Sequence, residues 1–149
     1  MFSKTCEYGI RAVVFIAAKS QKMERSSITE IATAIDSPEA FTAKICQKLA
    51  RLNLILSKKG PHGGFYIEKD SQLKLMDIVV ALDGDAIFKG CALGLDQCNA
   101  KNPCPLHDQF SAMRTDLLQL CENTLIMDLG DSLQDGKYLK IRTNGKETN

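Results

Sequence analysis

The stretch from Leu54 to Ile67 constrains the fold more than any other part of the chain. Two strand-like runs, Leu54-Ile55-Leu56-Ser57 and Phe65-Tyr66-Ile67-Glu68, flank Lys58-Lys59-Gly60-Pro61-His62-Gly63-Gly64. Aliphatic and aromatic runs favour an extended backbone, and clustered glycine and proline force it to turn. The pattern predicts a β-hairpin with a basic tip. Glycines at such a tip let the backbone approach a phosphate closely, and lysines displace counterions from a polyanion.

Three helical patterns precede this hairpin. Tyr8, Ala12, Phe15 and Ile16 recur at helical spacing over residues 7–19. Ser27, followed three residues later by Glu30, predicts a capping box, after which Ile28, Ile31, Ala32 and Ile35 form one apolar stripe. Asp36-Ser37-Pro38-Glu39 reads as a turn, with Ser37 as N-cap and Pro38 at the first helical position. The third helix runs to about Leu52, with Phe41, Ile45, Leu49 and Leu52 pointing inward and Asn53 tolerating the left-handed backbone at its end. The second and third helices form a helix-turn-helix, and the basic hairpin is its wing. The expected fold class is therefore mainly α with a small β-hairpin wing: a winged helix-turn-helix plus a long dimerisation helix. Thr42, Lys44, Gln47, Lys48 and Arg51 are the polar residues expected on the exposed face of the third helix, in the major groove of double-stranded DNA. Lys58, Lys59 and His62 are expected to reach the adjacent minor groove or the backbone.

Charge separates this half from the rest. Residues 1–70, the expected DNA-binding domain, carry 11 Lys/Arg against 7 Asp/Glu, whereas residues 71–136 carry 4 against 10. Only the first half is suited to a polyanion. The second half begins with an amphipathic helix over residues 71–83, its apolar face made by Leu75, Met76, Val79, Val80 and Leu82. After a weakly periodic stretch comes the longest helical pattern, from Leu106 to Asn123, marked by Leu106, Phe110, Met113, Leu117, Leu120 and Cys121. A short helix over Leu125 to Leu133 follows. The long helix has too little of its own chain to pack against, so a homodimer is expected to bury its apolar face. The polar segment 137–149 reads as a disordered tail. The chain shows neither an export signal nor an apolar run long enough to span a bilayer, so it is expected to be cytoplasmic, without a membrane partner.

Six cysteines complete the pattern. Cys91, Cys98, Cys104 and His107 are spaced C-x6-C-x5-C-x2-H, with turn formers Gly94, Asp96, Asn99, Asn102 and Pro103 between them. In a reducing compartment such thiols point to metal ligation or redox chemistry rather than to structural disulfides. The spacing lacks the tight knuckles of a zinc ribbon and suits an iron–sulfur cluster better. His107 is a candidate fourth ligand. Cys46 and Cys121 fall on apolar faces and read as small core hydrophobes. Cys6 has no assigned role.

The wing from Leu54 to Ile67, the opening Glu7-Tyr8-Gly9-Ile10-Arg11-Ala12 and the cysteine loop together resemble the Rrf2 family of winged-helix regulators, over about residues 1–133. The resemblance implies a DNA-binding transcriptional regulator, a repressor, whose affinity for its operator is controlled by an iron–sulfur cluster sensing redox, nitric oxide or cluster status. It implies Cys91, Cys98 and Cys104 as ligands, with His107 as the fourth. Glu7 of the other subunit is the alternative, since some nitric-oxide sensors in the family use an acidic residue at that place. A [2Fe–2S] cluster is expected over a [4Fe–4S] cluster. Ala43 departs from an acidic residue by which one member discriminates DNA sites. Two other readings stand beside this one. A cluster-free winged-helix regulator would respond to a small metabolite or a partner protein. A thiol or metal enzyme would need an acid–base pair, a nucleophile elbow or a phosphate-cradling loop, and the sequence offers none of them.

Overall fold

The computed structural model of the chain describes residues 1–96 and 99–134. Helix α1 (Lys4–Gln21) starts three residues before the expected point, because Ser3 caps it by accepting a hydrogen bond from the Cys6 amide at 3.0 Å. Helix α2 (Ile28–Ile35) carries the expected capping box: the Ser27 hydroxyl accepts from the Glu30 amide, and the Glu30 carboxylate accepts from the Ser27 amide. Asp36 ends α2 in the left-handed region at φ 56°.

Helix α3 (Glu39–Arg51) corrects the expected start. Pro38 stands at the cap position and Ser37 caps no backbone amide; its hydroxyl instead lies 3.1 Å from the Thr42 hydroxyl. Asn53 takes the left-handed conformation after α3, at φ 58°. Leu52, expected inside, is 50% exposed, because the helix has already ended at Arg51 and the chain turns away there.

The wing consists of antiparallel strands β1 (Leu56–Lys58) and β2 (Gly64–Tyr66), with Leu56 opposite Tyr66 and Lys58 opposite Gly64. A further bridge fixes its root. Ser26 and Phe65 exchange both backbone hydrogen bonds, at 2.9 and 2.8 Å. Gly64, at φ 141°, lies so close to Ser26 that a Cβ there would stand 2.8 Å from the Ser26 carbonyl oxygen. Only glycine fits this backbone crossing.

Helix α4 (Leu75–Asp83) begins later than the periodicity suggests, where the Lys74 amide donates to Asp77 Oδ2 at 2.8 Å. Val80, expected on its apolar face, is 44% exposed. A short helix α5 (Ala86–Lys89), which the sequence pattern does not indicate, precedes the cysteine loop. The long α6 (His107–Asn123) and the final α7 (Ile126–Gln134) lie close to their expected positions. Helix α7 folds back along α1. Gly130 meets Ala17 and Ala18 so tightly that an added Cβ would stand 2.8 Å from the Ala18 nitrogen. One apolar core therefore joins Ile16, Ile31 and Leu49 of the first half to Ile78, Val79, Cys121 and Ile126 of the second.

Helix α6 is different. Among its residues only Cys121 is buried, while Met113 and Leu120 are 54% and 58% exposed. With Ile87, Phe110 and Leu117 they line an apolar groove of about 580 Å³. No helix among the described residues is long and apolar enough to cross a membrane. The segment 137–149 lies outside the described residues.

Candidate DNA interface and thiol site

Lys44, Gln47, Lys48 and Arg51 are all exposed on α3, at the i, i+3, i+4, i+7 spacing that puts side chains on one face. Thr42 does not join them. It is fully buried, and its hydroxyl donates to the Pro38 carbonyl at 2.9 Å, holding the first turn of α3 together. Its expected exposure is thus corrected. A small β-branched residue one turn into a helix can bond its own backbone, and here that bond wins.

At the wing, Lys58, Lys59 and His62 are exposed. Arg25, which carries no motif of its own in the sequence, completes this basic surface. Its guanidinium donates to the His62 carbonyl at 3.3 Å and lies 5.3 Å from the centre of the Tyr66 ring. The cation spans from the α1–α2 connection to the wing tip, so it both adds charge and restrains the tip. Only the tertiary fold reveals this, because Arg25 and His62 lie far apart in sequence.

The second site sits where the cysteine loop meets α6. Cys91 Sγ and Cys104 Sγ are 4.0 Å apart, and both residues are half-buried. The Cys91 thiol is held below its ordinary range, first by the backbone amides of Leu93 and Leu95, then by the Cys104 thiol and the Arg114 cation. Gly94, at φ 70°, makes the turn that aims those amides. Both ends of the loop are tied to α6. Arg114 Nη1 donates to the Gly90 carbonyl at 2.7 Å and the guanidinium lies 5.6 Å from the Phe110 ring centre. The His107 amide donates to the Cys104 carbonyl at 3.0 Å. His107 is half-buried as the first residue of α6.

Cys98 lies outside the described residues. Among the described residues, no group of three or more His, Cys, Asp or Glu side chains stands close enough to hold a metal ion. Glu7 is paired with Lys4 at 3.0 Å on the outer side of α1, where it lines a groove with Phe2, Tyr8 and Leu129.

The remaining thiols have a different environment. Cys6, Cys46 and Cys121 are completely buried. Burial pushes the Cys46 thiol up to about 12. Cys6 is also pushed up to about 12, by burial and then by the charge of Asp83, and burial raises Cys121. These three are core residues, as the sequence pattern indicates for Cys46 and Cys121.

Comparison with known proteins agrees with this arrangement. The family described as Rrf2, iron-dependent transcriptional regulator, matches residues 2–132. A protein of Aquifex aeolicus, named as an HTH-type transcriptional regulator, is 29% identical over 132 residues, covering 87% of this chain and 90% of its own. Among solved structures, CymR, the global cysteine regulator of B. subtilis, superposes with a TM-score of 0.70 at 19% identity, over 89% of this chain and 97% of its own. IscR of T. potens superposes at 0.65 with 18% identity, over 97% and 93%. The two structural likenesses establish the winged-helix architecture, and the match over residues 2–132 makes the chain a member of the Rrf2 family of DNA-binding transcriptional regulators.

Proposed function

We propose that the chain is a homodimeric repressor whose affinity for its operator is set by an iron–sulfur cluster, [2Fe–2S] rather than [4Fe–4S], held in the loop before α6. Residues 1–70 read DNA, and residues 71–136 sense and dimerise. Lys44, Gln47, Lys48 and Arg51 meet the major groove, and Lys58, Lys59, His62 and Arg25 meet the backbone or the adjacent minor groove. The ligands are Cys91, Cys98, Cys104 and His107, with Glu7 of the other subunit as the alternative to His107.

The observation that carries the reading is the 4.0 Å separation of the Cys91 and Cys104 sulfurs. Two thiolates on one tetrahedral metal, each about 2.3 Å from it, stand about 3.8 Å apart. The separation of this pair therefore suits two ligands of one iron. The depressed Cys91 thiol fits too, since the thiolate is the ligand. When bound, the cluster supplies an iron centre sensitive to redox change and to small ligands. The chain's own residues do the rest. Leu93 and Leu95 amides stabilise charge on Cys91, and Arg114 ties the loop to α6. A change at the thiols thus reaches the helix that we assign to the dimer. Its effect on DNA is a shift between two dimer populations with different spacing of their α3 helices.

Anaerobically purified protein should contain iron and sulfide in equal amounts, about two of each per chain for a [2Fe–2S] cluster. His107→Ala should shift its visible spectrum and speed cluster loss, while Glu7→Ala leaves both unchanged; the reverse result would move the fourth ligand to Glu7. Lys58→Ala with Lys59→Ala should weaken specific and random DNA alike. The slope of log affinity against log salt should shrink by about 3.6 for a dimer with two wings, at about 0.9 for each of the four phosphates that a lysine no longer neutralises. A second reading, a cluster-free regulator responding to a metabolite or partner protein, draws on the likeness to a structure named as a cysteine regulator. Protein that holds no iron when isolated anaerobically would favour it.

A further inference from the structure

Cys91 and Cys104 differ from the other cysteines among the described residues in a way that metal binding alone does not require. Protein contacts bring the two sulfurs side by side. Cys91 follows Gly90, whose carbonyl accepts from Arg114 of α6. Cys104 precedes α6 by one turn, and its carbonyl accepts from the His107 amide. The backbone beside each cysteine is therefore anchored to the first half of one helix, although the two lie thirteen positions apart in sequence. Partial exposure leaves them open to a small oxidant, while Cys6, Cys46 and Cys121 are sealed in the core.

We propose that Cys91 and Cys104 form a reversible disulfide in the metal-free chain, so that the loop has a second, oxidised state that cannot accept metal. The inference rests on the reading of this loop as the sensing site. A disulfide needs sulfurs about 2.05 Å apart. From 4.0 Å the gap closes by about 2 Å, a shift within reach of side-chain rotation and small loop adjustment. The oxidant is a peroxide. One thiol reduces hydrogen peroxide, becoming a sulfenic acid and releasing one water. The second sulfur attacks the sulfenic sulfur, forms the S–S bond and expels the second water. Two electrons pass from the two sulfurs to the peroxide, and each thiol gives up one hydrogen. A dithiol reductant returns both thiols by exchange. The oxidised loop stays docked on α6 through Arg114, but two of its proposed ligands are consumed. Metal loss followed by oxidation then becomes a latched state, cleared only by reduction.

The full-length chain, stripped of metal with a chelator and fully reduced, is treated with equimolar hydrogen peroxide and then alkylated. Intact mass and peptide mapping are the readouts. The expected product, before alkylation, is lighter than the reduced chain by about 2 Da, the two hydrogens lost. Its cross-link joins the peptides of Cys91 and Cys104, and dithiothreitol removes it. Cys98→Ser should give the same cross-link, and Cys91→Ser and Cys104→Ser should not. Oxidised chain should take up no iron until reduced. A cross-link through Cys98 in the parent chain would overturn the proposal, as would sulfinic acid at Cys91 or unaltered Cys91 and Cys104 peptides after peroxide. Failure of the cluster reading is visible separately. Reduced chain would then bind no iron and sulfide on reconstitution, whether or not the disulfide forms.

Discussion

The helix-turn-helix with its wing and the region from the cysteine loop through α6 are built on opposite principles. In the first, the chain answers its own demands. Ser3, Ser27 and Glu30 satisfy helix ends, Asp36 and Asn53 make the left-handed turns, and Ser26 pairs with Phe65 to fix the wing root. In the second, the demands are left open. Helix α6 buries only Cys121 and leaves Met113 and Leu120 to water, and the loop before it holds two thiols side by side. A region that reads a fixed polymer benefits from a rigid surface. A region that responds to a signal needs groups whose state depends on something outside the chain.

The cysteines test this contrast most sharply, and the expected effect is the largest. In metal-free, reduced protein at about pH 8, iodoacetamide should label Cys91 rapidly, because its thiol is held low and partly exposed. Cys46 should label only through unfolding, at least about three orders of magnitude more slowly, given ordinary domain stability. The same burial predicts a pH effect on stability. In the unfolded chain a thiol ionises near 9.0, but folded Cys46 resists to about 12. Its folded pKa is raised, so the stability it contributes is complete below pH 9 and is lost as pH climbs from 9 to 12. Urea midpoints should fall across that window, and less steeply in Cys46→Ala. Equal labelling of Cys46 and Cys91 in native protein would dissolve the distinction between the two regions.

The next effect concerns the open face of α6. Leu117 packs partly against the core, so a charge there would disturb the fold as well as any interface. Leu120, 58% exposed in the single chain, is the cleaner position. If a second copy covers it, Leu120→Asp should bury an unpaired charge at a cost on the order of 3–5 kcal/mol. Sedimentation should show the dimer weakened by about two orders of magnitude or more. The monomer's urea midpoint should hold. A variant that remains dimeric at micromolar concentration would place the interface elsewhere.

The legibility of the sequence follows the same division. The capping box, the left-handed Asn53 and the wing strands can all be read from neighbouring residues, since each depends on contacts a few positions apart. The differences arise where tertiary contacts decide. Thr42 shares the buried face of α3 with Ile45, Cys46 and Leu49 at helical spacing, but a hydroxyl-bearing residue reads as exposed until its bond to the Pro38 carbonyl is seen. Leu52 falls just past the end of its helix, and Val80 faces water although its neighbours on α4 are more buried. Arg25 joins the wing through His62, across a long sequence separation. At the thiol site, spacing singles out Cys91 and Cys104, but their contact depends on Arg114 and the first turn of α6. Short α5 leaves no mark in the sequence because four residues hold too little periodicity to register.

The smallest expected effect tests the other side of the comparison. If the first region is fixed by local chemistry, removing one local device should cost what that device supplies and little more. Ser27→Ala deletes the hydroxyl that accepts from the Glu30 amide at 3.2 Å and leaves that amide to water. The reciprocal bond, from the Ser27 amide to the Glu30 carboxylate at 3.0 Å, is untouched. The expected loss is about 1 kcal/mol of unfolding free energy, typical of an N-cap serine. Ser27→Asp keeps an acceptor at the same place and adds a charge that suits a helix N-terminus, so it should recover most of the loss. Ser27 is exposed, so neither change alters packing. Both variants should keep the parent's oligomeric state and its Cys91 labelling rate, because α2 packs mainly against α1 and α3 rather than against the second region. A loss well above about 2 kcal/mol, the upper end for an N-cap, or altered labelling at Cys91, would mean that the two regions are coupled more tightly than their construction implies.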